Sequence, residues 1–387
     1  MPPKSTRRSS STRRSRSPQI TGSTAIILLL ILGAIYLFDA WQEGRVEVPI
    51  TPQPPLATNV PRLPTAASGQ PQEGGGAISV WFTDPLANMT SGGVEGNLVQ
   101  AIDAAEQTID LAIYNLSLED VADALIRAKD RGVQVRLMMK TKTMDNRVPQ
   151  RMADAGIAIV GDQREGLMHN KFMVIDNQEV WIGSMNFTGA SVYKDFNNLV
   201  RLRSTRAAQN YTVEFNEMFV EDLFGATDRP ATPYPQVTID GVAVEIYFSP
   251  DDGVAEQIVA EIMQAETSID FMAYSFTSDP IAQAMQDRAA NGVQVRGVFD
   301  ESQVKSNKGG EYDVLQQEGF DVYLDGISGL LHHKVIVIDR QVVITGSYNF
   351  SASAERTNDE NIVIIHDAGI AQQYLQNFET VYQNAQP

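Results

Sequence analysis

His169, Lys171 and Asp176 recur as His332, Lys334 and Asp339, and each trio is followed at the same distance by Gly183-Ser184-Met185-Asn186 or Gly346-Ser347-Tyr348-Asn349. Imidazole can serve as nucleophile, acid or base near neutral pH, while ammonium and carboxamide groups donate hydrogen bonds to anionic oxygens. His and Lys two residues apart on an apolar strand leave it on one face, so each pair is expected to point at one ligand. Asp176 lies an odd number of residues beyond Lys171 and beside Asn177, where a turn is expected; Asp176 and Asp339 therefore read as supporting residues. The Gly-Ser pairs are expected to let backbone approach a ligand, and Asn186 and Asn349 to donate to phosphate oxygens, with Ser184 and Ser347 beside them. His333 should face the other side of its strand and is given no chemical role.

A single His-x-Lys on a strand reads as a surface pair. Two copies, each with Gly-Ser-x-Asn at the same spacing, read as a site. A metal centre is not expected there, because each His neighbours a Lys whose charge repels a cation, and no His–carboxylate cluster appears at ligand spacing. No cofactor is expected either.

The elements that must position these residues are duplicated as well. Ala105–Tyr114 recurs as Ala265–Tyr274 and Gly132–Arg136 as Gly292–Arg296, both displaced by 160 residues, and the displacement becomes 163 downstream. In the first copy the pattern predicts a helix near 94–107, a strand over 109–115 and a helix over 118–130. A strand over 133–139, a helix near 147–155 and a strand over 157–160 follow. Such alternation argues for βαβ units with a largely parallel core covered by helices. The proline-bearing stretch Gly225–Asp240 is the expected junction between copies.

The two His-x-Lys-x4-Asp motifs with their Gly-Ser-x-Asn sequels resemble the phospholipase D superfamily, and the repeats extend the resemblance over roughly residues 78–387. It implies an α/β fold with two mixed β-sheets flanked by helices. The halves would be related by a pseudo-twofold axis, with both His–Lys pairs facing one cleft. A composite site would then lie within one chain, in a monomer. It further implies that one His attacks phosphorus to form a phosphohistidine while the other protonates the leaving alcohol and then activates water. By analogy His169 is the nucleophile and His332 the acid; Lys171, Lys334, Asn186 and Asn349 hold the phosphate. Family members often carry an acidic residue that orients a catalytic imidazole. Glu360 fits that position, whereas Asn197 stands there in the first copy, which predicts histidines of unequal basicity with fixed roles.

The chain of 387 residues carries a net charge of −18 and no cysteine. The first 38 residues hold six basic residues and no acidic one, leaving −24 for the remainder. So acidic an exterior offers no general attraction for nucleic acid or anionic lipid, and any phosphate must be bound locally. Gln19–Phe38 lacks charge, and its length approaches the roughly 20 residues of a membrane-spanning helix. The expected organisation is a basic cytoplasmic tail (1–18), a transmembrane anchor (19–40) and a Pro/Gly-rich stalk (41–77). Two repeats follow (78–228 and 236–387), outside the membrane by the positive-inside rule. A cleaved signal peptide, giving a secreted protein, is the competing reading. The anchor and acidic exterior favour a phospholipid substrate. The alternative is DNA or RNA, since Gly346–Asn361 resembles the family's small bacterial endonucleases; a phosphatidyltransferase and an inactive scaffold rank below these.

Overall fold

A computed structural model describes residues 76–163, 166–225 and 232–386. The proposed tail, anchor and nearly all of the stalk lie outside the described residues, and no described helix is long and apolar enough to cross a membrane.

The first half supplies strands β1 (Ile78–Phe82), β2 (Thr108–Ile113), β3 (Gln134–Met139), β4 (Ala158–Gly161), β5 (Lys171–Ile175), β6 (Glu179–Gly183) and β7 (Asn198–Arg203). Helices α1 (Glu95–Ala104), α2 (Glu119–Asp130), α3 (Arg147–Asp154), α4 (Gly189–Tyr193) and α5 (Thr205–Val220) alternate with them. The second half repeats the order with β8 (Gln236–Ile239), β9 (Val242–Ser249), β10 (Ser268–Ala273), β11 (Gln294–Phe299), β12 (Asp321–Leu324), β13 (Lys334–Ile338), β14 (Val342–Gly346) and β15 (Glu360–His366). Its helices are α6 (Val254–Met263), α7 (Asp279–Ala290), α8 (Glu301–Ser306), α9 (Tyr312–Gln317), α10 (Ala352–Arg356) and α11 (Ala368–Ala385).

The sheet orders are β1-β7-β6-β5-β2-β3-β4 and β12-β11-β10-β13-β14-β15-β9-β8. The expectation of a largely parallel core does not hold. Only β2-β3-β4 and β10-β11-β12 are parallel, and every other neighbouring pair is antiparallel. The reason is local: βαβ crossovers build the parallel part, but β5–β6 and β13–β14 are joined by three-residue turns, Asp176–Gln178 and Asp339–Gln341, and a tight turn can only return an antiparallel strand. The tail of the expected junction, Gln236–Ile239, is itself strand β8, paired with β9.

Each sheet is buried on both faces. Helices α1–α3 cover the outer face of the first sheet through Leu98, Leu125 and Met152. Helices α6 and α7 cover the second through Ile258, Ile262 and Met285. The inner faces meet in one continuous core in which Phe172, Val200, Tyr211 and Phe215 of the first half join Val335, Val363, Tyr374 and Phe378 of the second. Burial on both faces explains why β5 and β13 read as unbroken apolar runs after their leading lysine.

The contacts between halves come in exchanged pairs. Met168 bridges Asp359 and Phe196 bridges Leu331. Adding 163 to Met168 gives Leu331 and subtracting 163 from Asp359 gives Phe196, so the two bridges exchange under the repeat, the relation a twofold axis imposes. Close backbone packing accompanies both bridges: a Cβ on Gly166 would lie 2.0 Å from the Thr357 carbonyl oxygen, and one on Gly329 would lie 1.7 Å from that of Lys194. No side chain fits at either crossing, so glycine is required there.

Candidate active site

Both His–Lys pairs are built where the two halves cross. The Met168–Asp359 bridge ends in a hydrogen bond from His169 N to Asp359 O (3.0 Å), and its mirror ends in one from His332 N to Phe196 O (2.9 Å). Each His is thus pinned to the opposite half just before its own strand begins. Each Lys then turns back on its partner: Lys171 Nζ donates to His169 O at 2.7 Å and Lys334 Nζ to His332 O at 2.8 Å. All four side chains are buried.

The residues that orient the imidazoles come from across the interface. His169 Nδ1 bonds Glu360 Oε2 at 2.7 Å, and His332 Nδ1 bonds Asn197 Oδ1 at 3.0 Å. Asn197 Nδ2 donates to Ser191 O, which leaves its oxygen toward the ring. With Nδ1 of each ring donating, Nε2 of each is the nitrogen left for chemistry. Sequence alone placed Glu360 and Asn197 at corresponding positions; the crossing of each to the other half's histidine is a property of the fold.

Burial dominates the protonation of the cluster. Desolvation lowers the His169 pKa to about 4, against the raising effect of Glu360, with Lys171 lowering it further. Burial takes Lys171 down to about 7, again opposed by Glu360. Burial pushes His332 and Lys334 well below their ordinary values; neighbouring Lys334, Lys171 and His169 add to the shift of His332, and Lys171 to that of Lys334. Bringing four potential cations into a dry cleft is unfavourable for each, and an anion between them reverses that sign.

The structure places the remaining sequence candidates as follows. Asp176 and Asp339 lie at the far end of the β5–β6 and β13–β14 hairpins, in turns with positive φ at Asp176, Asn177, Asp339 and Arg340. Asp176 accepts backbone N–H bonds from Glu106, Gln107 and Thr108, and Asp339 from Glu266, Thr267 and Ser268, all within 2.9 Å. Each thereby ties its hairpin to the start of the neighbouring strand and stays clear of the cleft. Ser184 Oγ donates to Asn197 Oδ1 and accepts from Asn198 N, while Ser347 Oγ accepts from Asn361 N. Both hydroxyls are fully buried, Ser184 against Asn197 and the start of β7 and Ser347 against β15, which carries Glu360. Asn186 and Asn349 are half-buried, and Asn186 Oδ1 accepts from Asn115 N, leaving its carboxamide nitrogen as the donor end.

The expected role of the glycines changes. A Cβ on Gly183 would meet Asn198 O at 2.3 Å and one on Gly346 would meet Asn361 O at 2.1 Å. The close approach is that of the neighbouring strand, not of a ligand. His333 is fully buried with its ring against Phe82, away from the His332 side.

Sequence reasoning missed two tyrosines. The Tyr114 ring meets His169 edge-on at 5.0 Å and lies 5.5 Å from Lys171 Nζ; Tyr274 meets His332 at 4.6 Å and lies 4.6 Å from Lys334 Nζ. Each closes one side of its His–Lys pair, and the signal was available, since both copies of the Ala105–Tyr114 repeat end in Tyr. Lys140, whose Nζ lies 2.5 Å from the Tyr114 hydroxyl, adds a further cation on the His169 side; its mirror position is Asp300.

Comparison with known proteins decides the family. A model described as "Cardiolipin synthase, PLD-like domain" matches residues 98–219 and 258–382, one match per half. The chain belongs to the phospholipase D superfamily. It is a phosphodiesterase of that family by its relatives as well. A phospholipase D from Rickettsia prowazekii is 41% identical over 167 residues, covering 43% of this chain and 81% of the relative. The human mitochondrial cardiolipin hydrolase is 29% identical over 136 residues, covering 35% of this chain and 54% of that protein. Among solved structures, a phosphatidylserine synthase from Haemophilus influenzae superposes with a TM-score of 0.56 at 15% identity, covering 79% of this chain and 85% of that one, a likeness of fold. The superfamily fold thus accounts for the duplicated mixed sheets and for the meeting of both motifs in one cleft.

Proposed function

We propose that this phosphodiesterase hydrolyses phospholipids through a phosphohistidine intermediate on His169. The observation that carries the reading is the pairing of His169 with Glu360 opposite the pairing of His332 with Asn197. A carboxylate on Nδ1–H raises the electron density at Nε2 and stabilises the cationic ring formed on attack. His169 Nε2 forms the bond to phosphorus as the ester oxygen leaves, and that oxygen takes the proton from His332 Nε2. His332, now neutral, removes a proton from water; the hydroxide attacks phosphorus, the P–N bond breaks and His169 is restored. Lys171, Lys334, Asn186 and Asn349 bind the phosphoryl oxygens, whose charge compensates the cluster of buried cations. None of these steps calls on a metal ion. The curated relatives named as phospholipase D and as cardiolipin hydrolase support a lipid substrate. The uncharged run Gln19–Phe38 supports an anchored enzyme whose site lies outside the cytoplasm.

The test uses the full chain in detergent with EDTA, beside a His169→Ala/His332→Ala control. It is offered phosphatidylcholine vesicles, cardiolipin vesicles, plasmid DNA and single-stranded RNA. Release of head group or phosphatidic acid without nicking of either nucleic acid is the expected result. Cleavage of nucleic acid alone would replace the lipid by the alternative substrate, and loss of all activity in EDTA would overturn the metal-independent route.

A further inference from the structure

The fourth histidine, His366, takes no part in the cleft. It ends β15, whose first residue is Glu360, and six residues of strand put it about 20 Å from that carboxylate. There the fold gathers three side chains that are far apart in sequence. His366 Nε2 lies 3.0 Å from Glu245 Oε1, and Glu261, on α6, brings a carboxylate oxygen so that all three ligand atoms fall within 4.8 Å of one another. The sequence showed no cluster at ligand spacing because the residues come from β9, α6 and β15, which only the sheet and its covering helix unite.

We propose that Glu245, Glu261 and His366 form a zinc site that staples α6 to strands β9 and β15 on the outer face of the second sheet. One imidazole nitrogen and two carboxylate oxygens are a donor set zinc accepts, with water as a fourth ligand. Tetrahedral donors at about 2.0–2.2 Å from the metal stand roughly 3.4 Å from one another. The Glu245–His366 edge is already near that spacing, and a change of Glu261 rotamer closes the third corner. The Tyr247 hydroxyl donates to Glu245 Oε2 at 2.5 Å, the kind of outer hydrogen bond that fixes a ligating carboxylate. All three ligands are partly shielded and still reachable from solvent, His366 being 31% and Glu245 18% exposed at the side chain.

The first half shows that the fold does not require this trio. By strand register and the repeat offsets, Glu245, Glu261 and His366 correspond to Ser79, Ala101 and Arg203. None of those three supplies a comparable donor set. The groove there is left as a cavity of about 470 Å³ bordered by Ala101, Arg203 and the Trp81–Trp181 stack. The donor set is thus present in one copy only, and the same fold forms in the other copy without it.

The experiment titrates zinc into the full chain in detergent after removal of metals by chelation, following uptake by competition with a chromophoric chelator and stability by thermal unfolding. One zinc per chain and a Tm higher by several degrees are expected, both retained in His169→Ala/His332→Ala. His366→Gln and Glu261→Gln should each weaken uptake at least tenfold, with the metal-free Tm and the phosphodiesterase activity close to those of the parent. Absence of uptake would leave only a His–Glu ion pair and overturn the site. Uptake retained in both Gln variants, or lost in the catalytic double variant, would place the metal elsewhere and overturn it too.

Discussion

Glu360, on the second half, lies 2.7 Å from Nδ1 of His169, on the first. Its mirror partner is an amide, Asn197 against His332 at 3.0 Å, so the cleft is symmetric in shape and asymmetric in charge. Glu360 opposes the burial that lowers His169, so Glu360→Gln should move the acidic limb of kcat/KM, which reports free His169, to lower pH. It should also cost about 10²-fold in kcat, within the range for a disturbed acid–base group. Asn197→Asp adds an anion beside His332 and should move the basic limb to higher pH. Two profiles that do not shift, or shift together, would show the histidines to be interchangeable.

Fixed roles also make the two histidines respond differently to the leaving group. An aryl phosphodiester departs as a stable phenolate and needs little protonation. His332→Ala should therefore keep a rapid burst of nitrophenolate from bis-nitrophenyl phosphate, followed by slow turnover, because the same residue activates water in the second step. His169→Ala should show neither burst nor turnover. Rapid-quench kinetics, with mass spectrometry of the trapped phosphoenzyme, decides the matter. A phosphoryl group found on His332 in the parent enzyme would reverse the assignment.

Much of this was legible in one sequence because duplication turns a weak local signal into a strong one. The helix and strand order of the first half followed from its apolar pattern, and the special standing of Glu360 and Asn197 from aligning the copies together with the family resemblance. What stayed hidden was anything set by the pairing of the halves. The crossing of Glu360 to His169 depends on parallel bridges between residues nearly 200 positions apart, Met168 with Asp359. Three-residue turns beginning at Asp176 and Asp339 reverse the chain and so override the parallel order suggested by βαβ alternation. Gly183 and Gly346 read as ligand-facing because spacing cannot distinguish a strand from a substrate as the close neighbour.

Asp339 offers a stability test separate from catalysis. Its carboxylate accepts backbone bonds from Glu266, Thr267 and Ser268, and together these hold its pKa below the ordinary value against the raising effect of burial. A depressed folded pKa means that the stabilisation is present at neutral pH and fades as the pH falls below about 3.8 through the folded value. Asp339→Asn should lower stability by about 1–3 kcal/mol at pH 7, in the range for hydrogen bonds to a charged group. The difference from the parent should shrink on acidification. Urea unfolding at pH 7 and pH 3 measures this, and kcat at a temperature where both proteins are folded should agree within a few-fold. A large kcat defect with unchanged stability would instead put Asp339 in the reaction.

The crossing of the halves can be opened at one atom. Gly329 packs so that an added Cβ would stand 1.7 Å from the Lys194 carbonyl oxygen, beside the hydrogen bonds from Phe196 N to Leu330 O and from His332 N to Phe196 O. Relieving that overlap requires the two backbones to separate, which shifts His332 away from Asn197. Gly329→Ala should therefore lower stability by about 3 kcal/mol or more, the range of severe core overpacking. It should also reduce kcat in the fraction that stays folded. Gly189→Ala, at a helix start with open space around it, should change stability by no more than about 0.5 kcal/mol. Lys194→Ala leaves the clashing carbonyl in place and should not rescue Gly329→Ala. Thermal unfolding of the three variants and the double variant tests the argument, and a Gly329→Ala enzyme with parental Tm and activity would show that the halves do not depend on this contact.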